Sequence, residues 1–163
     1  MTRSKIIVTG GCGYIGSHTI VDLIENGFDV VSIDNLSRSK ITTYTGIEQI
    51  TGKSFQHEDI DLTNRIDTLK ALEKHSDALG IIHFAAFKSV PESTEKPLLY
   101  YKNNMEGLFN LLEGVEKYGI PNFVFSSSCS VYGLVDVLPV VETTEFKEAQ
   151  CAYARTKQHG EDV

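Results

Sequence analysis

Residues Val8 to His18 read VTGGCGYIGSH, a strand end, a glycine turn and a helix start in eleven residues. It overlaps the end of Lys5–Thr9, a short β-branched run with the composition of a buried parallel strand. It leads into Tyr14–Asn26, where Ile15, Thr19, Ile20, Leu23 and Ile24 share one helical face and Gly27 supplies the C-cap. Between strand and helix, Gly10, Gly13 and Gly16 are spaced G-x-x-G-x-x-G. Gly10 permits a tight turn, Gly13 lets the backbone come close to a ligand, and Gly16 lets the helix pack against the sheet. The helix N-terminus presented this way, with its free N–H groups, seats a pyrophosphate. A bare glycine triplet says little, but one set between strand and helix points to dinucleotide binding.

The alternation continues outward from this unit. Phe28–Ile33 reads as a second strand closed by Asp34, followed by a helix at Ile41–Ile50, a strand near Ser54–His57 and a loop at Glu58–Leu62. Asn64–His75 reads as a helix with Ile66, Leu69 and Leu72 inward. Leu79–Ala85 is a fourth strand and Asn122–Ser127 a fifth. Between them Leu98–Tyr118 reads as one long helix, with Met105, Leu108, Phe109, Leu111, Leu112 and Val115 chiefly core. No hairpin signal interrupts the pattern. It predicts an α/β fold, a doubly wound parallel sheet covered on both faces. Tyr132–Gln150 lacks periodicity and reads as a long loop, a kind more often functional than idle. A complete sheet of this class would continue beyond the helix that begins near Tyr153. Residues 1–163 therefore read as one incomplete nucleotide-binding domain, the N-terminal part of something longer.

Composition narrows the function classes. Hydrophobic residues at 41% and charged residues at 23% describe an ordinary soluble globular chain. The net charge of −7 argues against a broad nucleic-acid surface. After Arg3 and Lys5, the apolar run Ile6–Val8 is too short for a signal-peptide core, and no apolar run approaches a membrane span. Cys12, Cys129 and Cys151 are an odd number without metal-ligand spacing, as in a reduced, cytoplasmic protein. His18, His57, His75, His83 and His159 are scattered, and no pair has the spacing of a metal site. His83 is expected to pack at the end of its strand.

Asp34 stands 18 residues beyond Gly16, at the end of the second strand. Its carboxylate can accept hydrogen bonds from both adenosine ribose hydroxyls and would repel a 2′-phosphate, which favours NAD over NADP. Arg38 and Lys40 follow closely and are able to pair with such a phosphate, or to form a solvated basic loop. Asp59 falls in the loop after the third strand, placed to read an adenine amino group or to sit as a surface acid.

The second chemical signature lies near the other end. Tyr153 and Lys157 are four residues apart, so on a helix they share a face. A tyrosine with a pKa of about 10 is a poor base at neutral pH. An ammonium about 4 Å away supplies roughly 4 kcal/mol, or about three pKa units, which brings a phenolate within reach. Ser126, Ser127 and Ser128 lie where the fifth strand runs out, at the carboxyl end where open α/β sheets bind ligands. One of the three would hold the reacting oxygen and relay its proton; spacing alone does not choose among them. Together the set implies redox chemistry at a carbon bearing a hydroxyl group.

At this point the chain resembles the extended short-chain dehydrogenase/reductase superfamily, with its Rossmann-like domain, and within it the UDP-glucose 4-epimerases. The resemblance runs from Lys5 to the last residue. It rests on VTGGCGYIGSH, DNLS at Asp34–Ser37, HFAAFKSVPES at His83–Ser93, YYKNN at Tyr100–Asn104, FSSSCSVYG at Phe125–Gly133 and YARTK at Tyr153–Lys157. The resemblance implies Tyr153 as base, Lys157 as its partner and Ser128 as the active serine, with Ser128 and Tyr153 meeting the substrate. It implies that Tyr14, Ile15, Asp34, Asn35, Leu36, Ser37, Arg38, Ser39, Asp59, Ile60, Phe84, Ala85, Ala86, Phe87, Lys88 and Asn103 line NAD. The implied activity interconverts UDP-glucose and UDP-galactose: hydride leaves sugar carbon 4 and returns on the other face of a 4-keto sugar, with NAD retained. It also implies a two-fold dimer built on the long helix and the one starting at Tyr153.

Several departures and alternatives accompany the resemblance. Cys129 and Ser130 follow the serines where relatives often carry a small residue and threonine, and Ala152 precedes the tyrosine where many have proline. The family's C-terminal sugar-binding domain is absent from these 163 residues, which predicts weak NAD binding and no epimerisation by them alone. Sugar 4,6-dehydratases share the glycine turn and the Y-x-x-x-K pair, but need an Asp-Glu dipeptide where this chain has Cys129-Ser130. Epimerases of other nucleotide sugars and a non-catalytic NAD-binding regulator are the remaining alternatives.

Overall fold

The computed structural model describes residues 4–163; Arg3 lies outside the described residues. Strand β1 (Lys5–Thr9) is followed by α1 (Tyr14–Glu25), β2 (Asp29–Ile33), α2 (Ile41–Thr51), β3 (Gln56–Glu58), α3 (Arg65–Lys74) and β4 (Gly80–His83). Next come α4 (Val90–Glu95), α5 (Pro97–Tyr101), a π-helical turn (Lys102–Glu106), α6 (Gly107–Tyr118), β5 (Phe123–Phe125), a 3-10 turn (Cys129–Tyr132) and α7 (Ala152–Asp162). The strands pair in parallel in the order β3-β2-β1-β4-β5. Because β1 neighbours both β2 and β4, the winding reverses between β1 and β4, and a crevice opens at their carboxyl ends.

Successive residues of β1 point to opposite faces, and both faces are dry. Ile7 packs with Leu72 of α3 and Leu111 of α6, while Val8 packs with Ile20 and Ile24 of α1 and Ile47 of α2. A strand buried on both sides needs apolar residues without alternation, which is why Ile6, Ile7 and Val8 run together.

Four readings of the sequence are corrected. The long helix is interrupted: the π-helical turn at Lys102–Glu106 swings Asn104 inward. There its amide accepts from Phe87 N–H at 2.8 Å and donates to Phe87 C=O at 3.0 Å and Thr156 Oγ1 at 3.1 Å. Helix α4 was not foreseen, though its signal is present: Ser89 caps it, Glu92 stands three residues on, and Pro91 sits in the first turn. Ile15, Ile66 and Phe109 are 57%, 62% and 50% exposed instead of inward, because Thr68, Leu69, Ala71 and Leu72 take the buried face of α3 and Leu108 and Leu111 that of α6. Strands β4 and β5 end at His83 and Phe125, so the residues after them are loop, free to shape the crevice.

Candidate active site

A cleft of about 580 Å³ occupies the crevice at the strand ends. Its floor is the glycine turn. Gly10 has φ 68°, and a Cβ there would lie 2.8 Å from the Ala85 nitrogen, so this position demands glycine both conformationally and sterically. A Cβ on Gly16 would meet the Gly10 carbonyl oxygen at 2.2 Å, which shows how tightly α1 is set against the turn. Gly13 is the N-cap of α1, with no side-chain hydrogen bond covering the helix end. Its first turn presents Tyr14, 80% exposed, and Ile15 to the cleft. That turn projects beyond the sheet, which is why Ile15 faces the cleft and not the core.

At one end of the cleft stands Asp34. Its Oδ2 accepts from Cys12 N–H at 3.0 Å, and its Oδ1 from Leu36 N–H at 2.9 Å and Ser39 Oγ at 2.9 Å. Three protein donors thus orient the carboxylate and leave it part of its accepting capacity. Leu36 holds φ 55°, so the loop is shaped around this acid. Burial first, and Asp34 second, push the Cys12 thiol up to about 11, which leaves it protonated and unreactive. Asn35, Ser37, Arg38, Ser39 and Ile60 line the cleft, whereas Leu36 and Asp59 lie outside its lining; Asp61, Leu62 and Thr63 take part instead.

Arg38 is held by partners on the far side of the cleft. Its Nη2 donates to both carboxylate oxygens of Glu92, at 2.9 and 3.0 Å, and its guanidinium lies over the Phe87 ring, 4.6 Å from the centroid. It is therefore a half-exposed cation paired at the rim of the cleft.

The Y-x-x-x-K pair stands toward β5. Tyr153 and Lys157 project from α7, whose first turn is capped by Cys151 Sγ accepting from Ala154 N–H at 3.4 Å. Lys157 is only 5% exposed; its Nζ donates to Ser126 C=O at 2.6 Å and lies 4.6 Å over the Phe125 ring. Burial pushes its ammonium down to about 8. Gly160, one turn on, makes room for that ring, since a Cβ there would meet Phe125 at 2.4 Å. Behind Phe125, His83 is 2% exposed, with Nδ1 at 2.6 Å from Thr9 Oγ1. Burial, then the neighbouring Lys157 charge, hold it down to about 3, so the imidazole is neutral.

Of the serine run, Ser126 and Ser127 line the cleft, and Ser127 Oγ bonds Glu161. Ser128 lies just outside the lining and caps the 3-10 turn, its Oγ accepting from Ser130 N–H at 3.3 Å and from Ser130 Oγ at 2.9 Å. Phe84, Ala85, Ala86, Phe87, Lys88 and Asn103 complete the lining. Ser89 and Glu92, in the cap and first turn of α4, and Tyr100 of α5 also reach it and are not among the site residues expected from the sequence; for Ser89 and Glu92 the unexpected helix α4 is the reason. Among the described residues no group of three or more His, Cys, Asp or Glu is placed to hold a metal ion.

A dinucleotide fits these residues. The glycine turn packs so closely on backbone that no side chain could share it, the first turn of α1 lines the cleft without a side-chain cap, and an oriented carboxylate, a phenol and a buried amine line the same cleft.

Comparison with known proteins agrees with this geometry. A UDP-glucose 4-epimerase of Bacillus subtilis is 44% identical over 84% of this chain and 40% of its own length. One of Schizosaccharomyces pombe is 42% identical over 99% of the chain and 46% of its own length. The chain thus spans about half the length of the curated relatives it matches. The crystal structure of UDP-glucose 4-epimerase from Bifidobacterium longum in complex with NAD+ and UDP superposes with a TM-score of 0.94 at 34% identity, covering 98% of this chain and 47% of that one. The family described as GDP-mannose 4,6 dehydratase matches residues 7–163. The chain belongs to that family, within the extended short-chain dehydrogenase/reductases, and the relatives cited here are its UDP-glucose 4-epimerase members.

Proposed function

We propose that the protein carrying this chain interconverts UDP-glucose and UDP-galactose on tightly held NAD. One observation carries the reading: the glycine turn, Asp34, Tyr153 and Lys157, distant in sequence, line a single cleft. In this reading Gly10, Gly13, Tyr14, Ile15 and Gly16 seat the pyrophosphate, and Asp34 to Ser39 with Asp59 and Ile60 surround the adenosine. Phe84 to Lys88 and Asn103 flank the nicotinamide half. Bound NAD supplies a reversible acceptor for the hydride of sugar carbon 4. Tyr153 takes the proton of the sugar 4-hydroxyl and returns it. Lys157, mostly protonated at pH 7 with its ammonium near 8, stabilises the phenolate and keeps donors for a ribose. Ser128 follows directly on the lining pair Ser126–Ser127 and holds the sugar oxygen.

Water elimination is disfavoured despite the family's description, because Cys129-Ser130 supplies neither carboxylate that a 4,6-dehydratase requires. We further propose a cytoplasmic homodimer. Its two-fold contact uses α5 and α6, where Leu98, Leu99 and Phe109 are exposed, together with α7, and light scattering on the purified protein checks it. No helix among the described residues is long and apolar enough to cross a membrane. Residues 1–163 alone are expected to hold NAD weakly and not to turn over UDP-galactose.

The test is Tyr153→Phe in the full-length protein. It should lower epimerisation by about 10²–10⁴-fold while NAD still co-purifies. Undiminished turnover refutes the reading, and retained partner binding without any turnover in the parent favours a regulator.

A further inference from the structure

Arg38 and Glu92 are 54 residues apart in sequence and meet across the same cleft. In dinucleotide sites of this class an arginine close to the end of β2 is the group that accommodates a ribose 2′-phosphate. Arg38 has that position, yet its guanidinium is committed to both oxygens of Glu92 and to the face of Phe87. Glu92 is itself held in place. Its Oε2 accepts from the hydroxyl of Tyr100, a fully buried side chain, at 2.9 Å. Tyr100 in turn accepts from Ser89 N–H at 3.1 Å, and Ser89 Oγ caps α4 by accepting from Glu92 N–H at 3.4 Å. Lys96 Nζ stands 4.0 Å from Glu92 Oε1. The carboxylate is thus a fixture of α4, and Arg38 comes to it.

We propose that Glu92 is a cofactor-selectivity residue: it sequesters Arg38 from a 2′-phosphate and adds to the repulsion exerted by Asp34, so that the cleft prefers NAD. The inference rests on the dinucleotide reading above. A 2′-phosphate seeking Arg38 must either displace Glu92 or share the guanidinium with it, which brings two anions together. Arg38 is 54% exposed, so solvent screens the interaction and the effect is one of degree.

The experiment is calorimetric titration of the full-length protein carrying this chain, stripped of nucleotide, with NAD+ and NADP+, for the parent, Glu92→Gln and Glu92→Gln combined with Arg38→Ala. Glu92→Gln should narrow the NADP+/NAD+ ratio of dissociation constants by about tenfold. The added Arg38→Ala should cancel the gain, and high salt should shrink it. Glu92→Asp, which shortens the reach to Arg38, narrows the ratio in the same direction should Glu92→Gln not fold. A ratio unchanged within about twofold, or a narrowing that survives loss of Arg38, overturns the proposal. If the parent binds neither dinucleotide, the cofactor reading fails separately. The same variants titrated with adenosine 2′,5′-bisphosphate then decide on Glu92: tighter binding that requires Arg38 supports it, and no difference overturns it.

Discussion

Replacing Gly16 by alanine should unseat the glycine turn. The new Cβ would lie 2.2 Å from the Gly10 carbonyl oxygen, 2.9 Å from its carbon and 3.0 Å from Gly11 Cα. All three are backbone atoms, so no side chain can rotate aside. To reach ordinary contact, α1 must back away from the turn by about 1 Å, losing packing against the sheet. Overpacking of this kind costs about 1–3 kcal/mol, and a backbone clash belongs at the upper end, near 3 kcal/mol. For a chain of this size that lowers the melting temperature by about 6–12 °C. The retreat also withdraws the helix N-terminus from the pyrophosphate, so NAD+ affinity should fall with stability. Gly46, inside α2, supplies the control: a Cβ there meets nothing within 4 Å. Gly46→Ala should therefore stabilise by about 0.5–1 kcal/mol through helix propensity alone. Urea denaturation followed by circular dichroism, with NAD+ titration of each variant, measures both. Gly16→Ala within about 0.5 kcal/mol of the parent, with unchanged NAD+ affinity, would falsify the account of the turn.

Two further outcomes follow from buried titratable groups. His83 falls from 6.5 to about 3 on folding, so the unfolded chain binds more protons between those values and stability declines as pH drops below 6.5. Acidification to pH 5 should cost about 2 kcal/mol from this group, a loss that His83→Gln abolishes; identical urea midpoint profiles for the two proteins would refute it. Lys157 has the same sign: its ammonium falls from 10.5 to about 8, so stability declines as pH drops from 10.5 toward 8 and the penalty is fully present below 8. Lys157→Met should stabilise the chain at pH 7 by about 1–2 kcal/mol and weaken NAD+ binding, a trade of stability for function. A destabilised variant, or one with undiminished affinity, would contradict this.

The glycine spacing, the strand-helix alternation and the Y-x-x-x-K pair were legible because each is local. A run such as Ile6–Val8 or a four-residue interval carries its meaning within one turn or strand, and the fold class followed from repeating it. Misreadings arose where a local signal competed with a distant one. The apolar run from Leu98 read as continuous helix, yet Asn104 is drawn inward by Phe87 and Thr156, and the helix widens to allow it. Ile66 and Phe109 match a helical stripe, but the third dimension leaves them facing away from the sheet. The folded chain turns the Ser128 hydroxyl to Ser130 and presents Ser126 and Ser127 to the cleft, a local geometry that the serine run alone does not specify.

The order of residues alone thus determined the parallel sheet, the glycine turn and the identity of the phenol and amine, since these depend on periodicity and on which side chains are present. Only the assembled molecule decided the electrostatic state of the site. Arg38 is paired with Glu92, Lys157 is dried by Phe125 and bonded to the Ser126 carbonyl, and His83 is held neutral by burial. Charge state depends on solvent exclusion and on partners tens of residues distant, and neither quantity exists until the chain has folded.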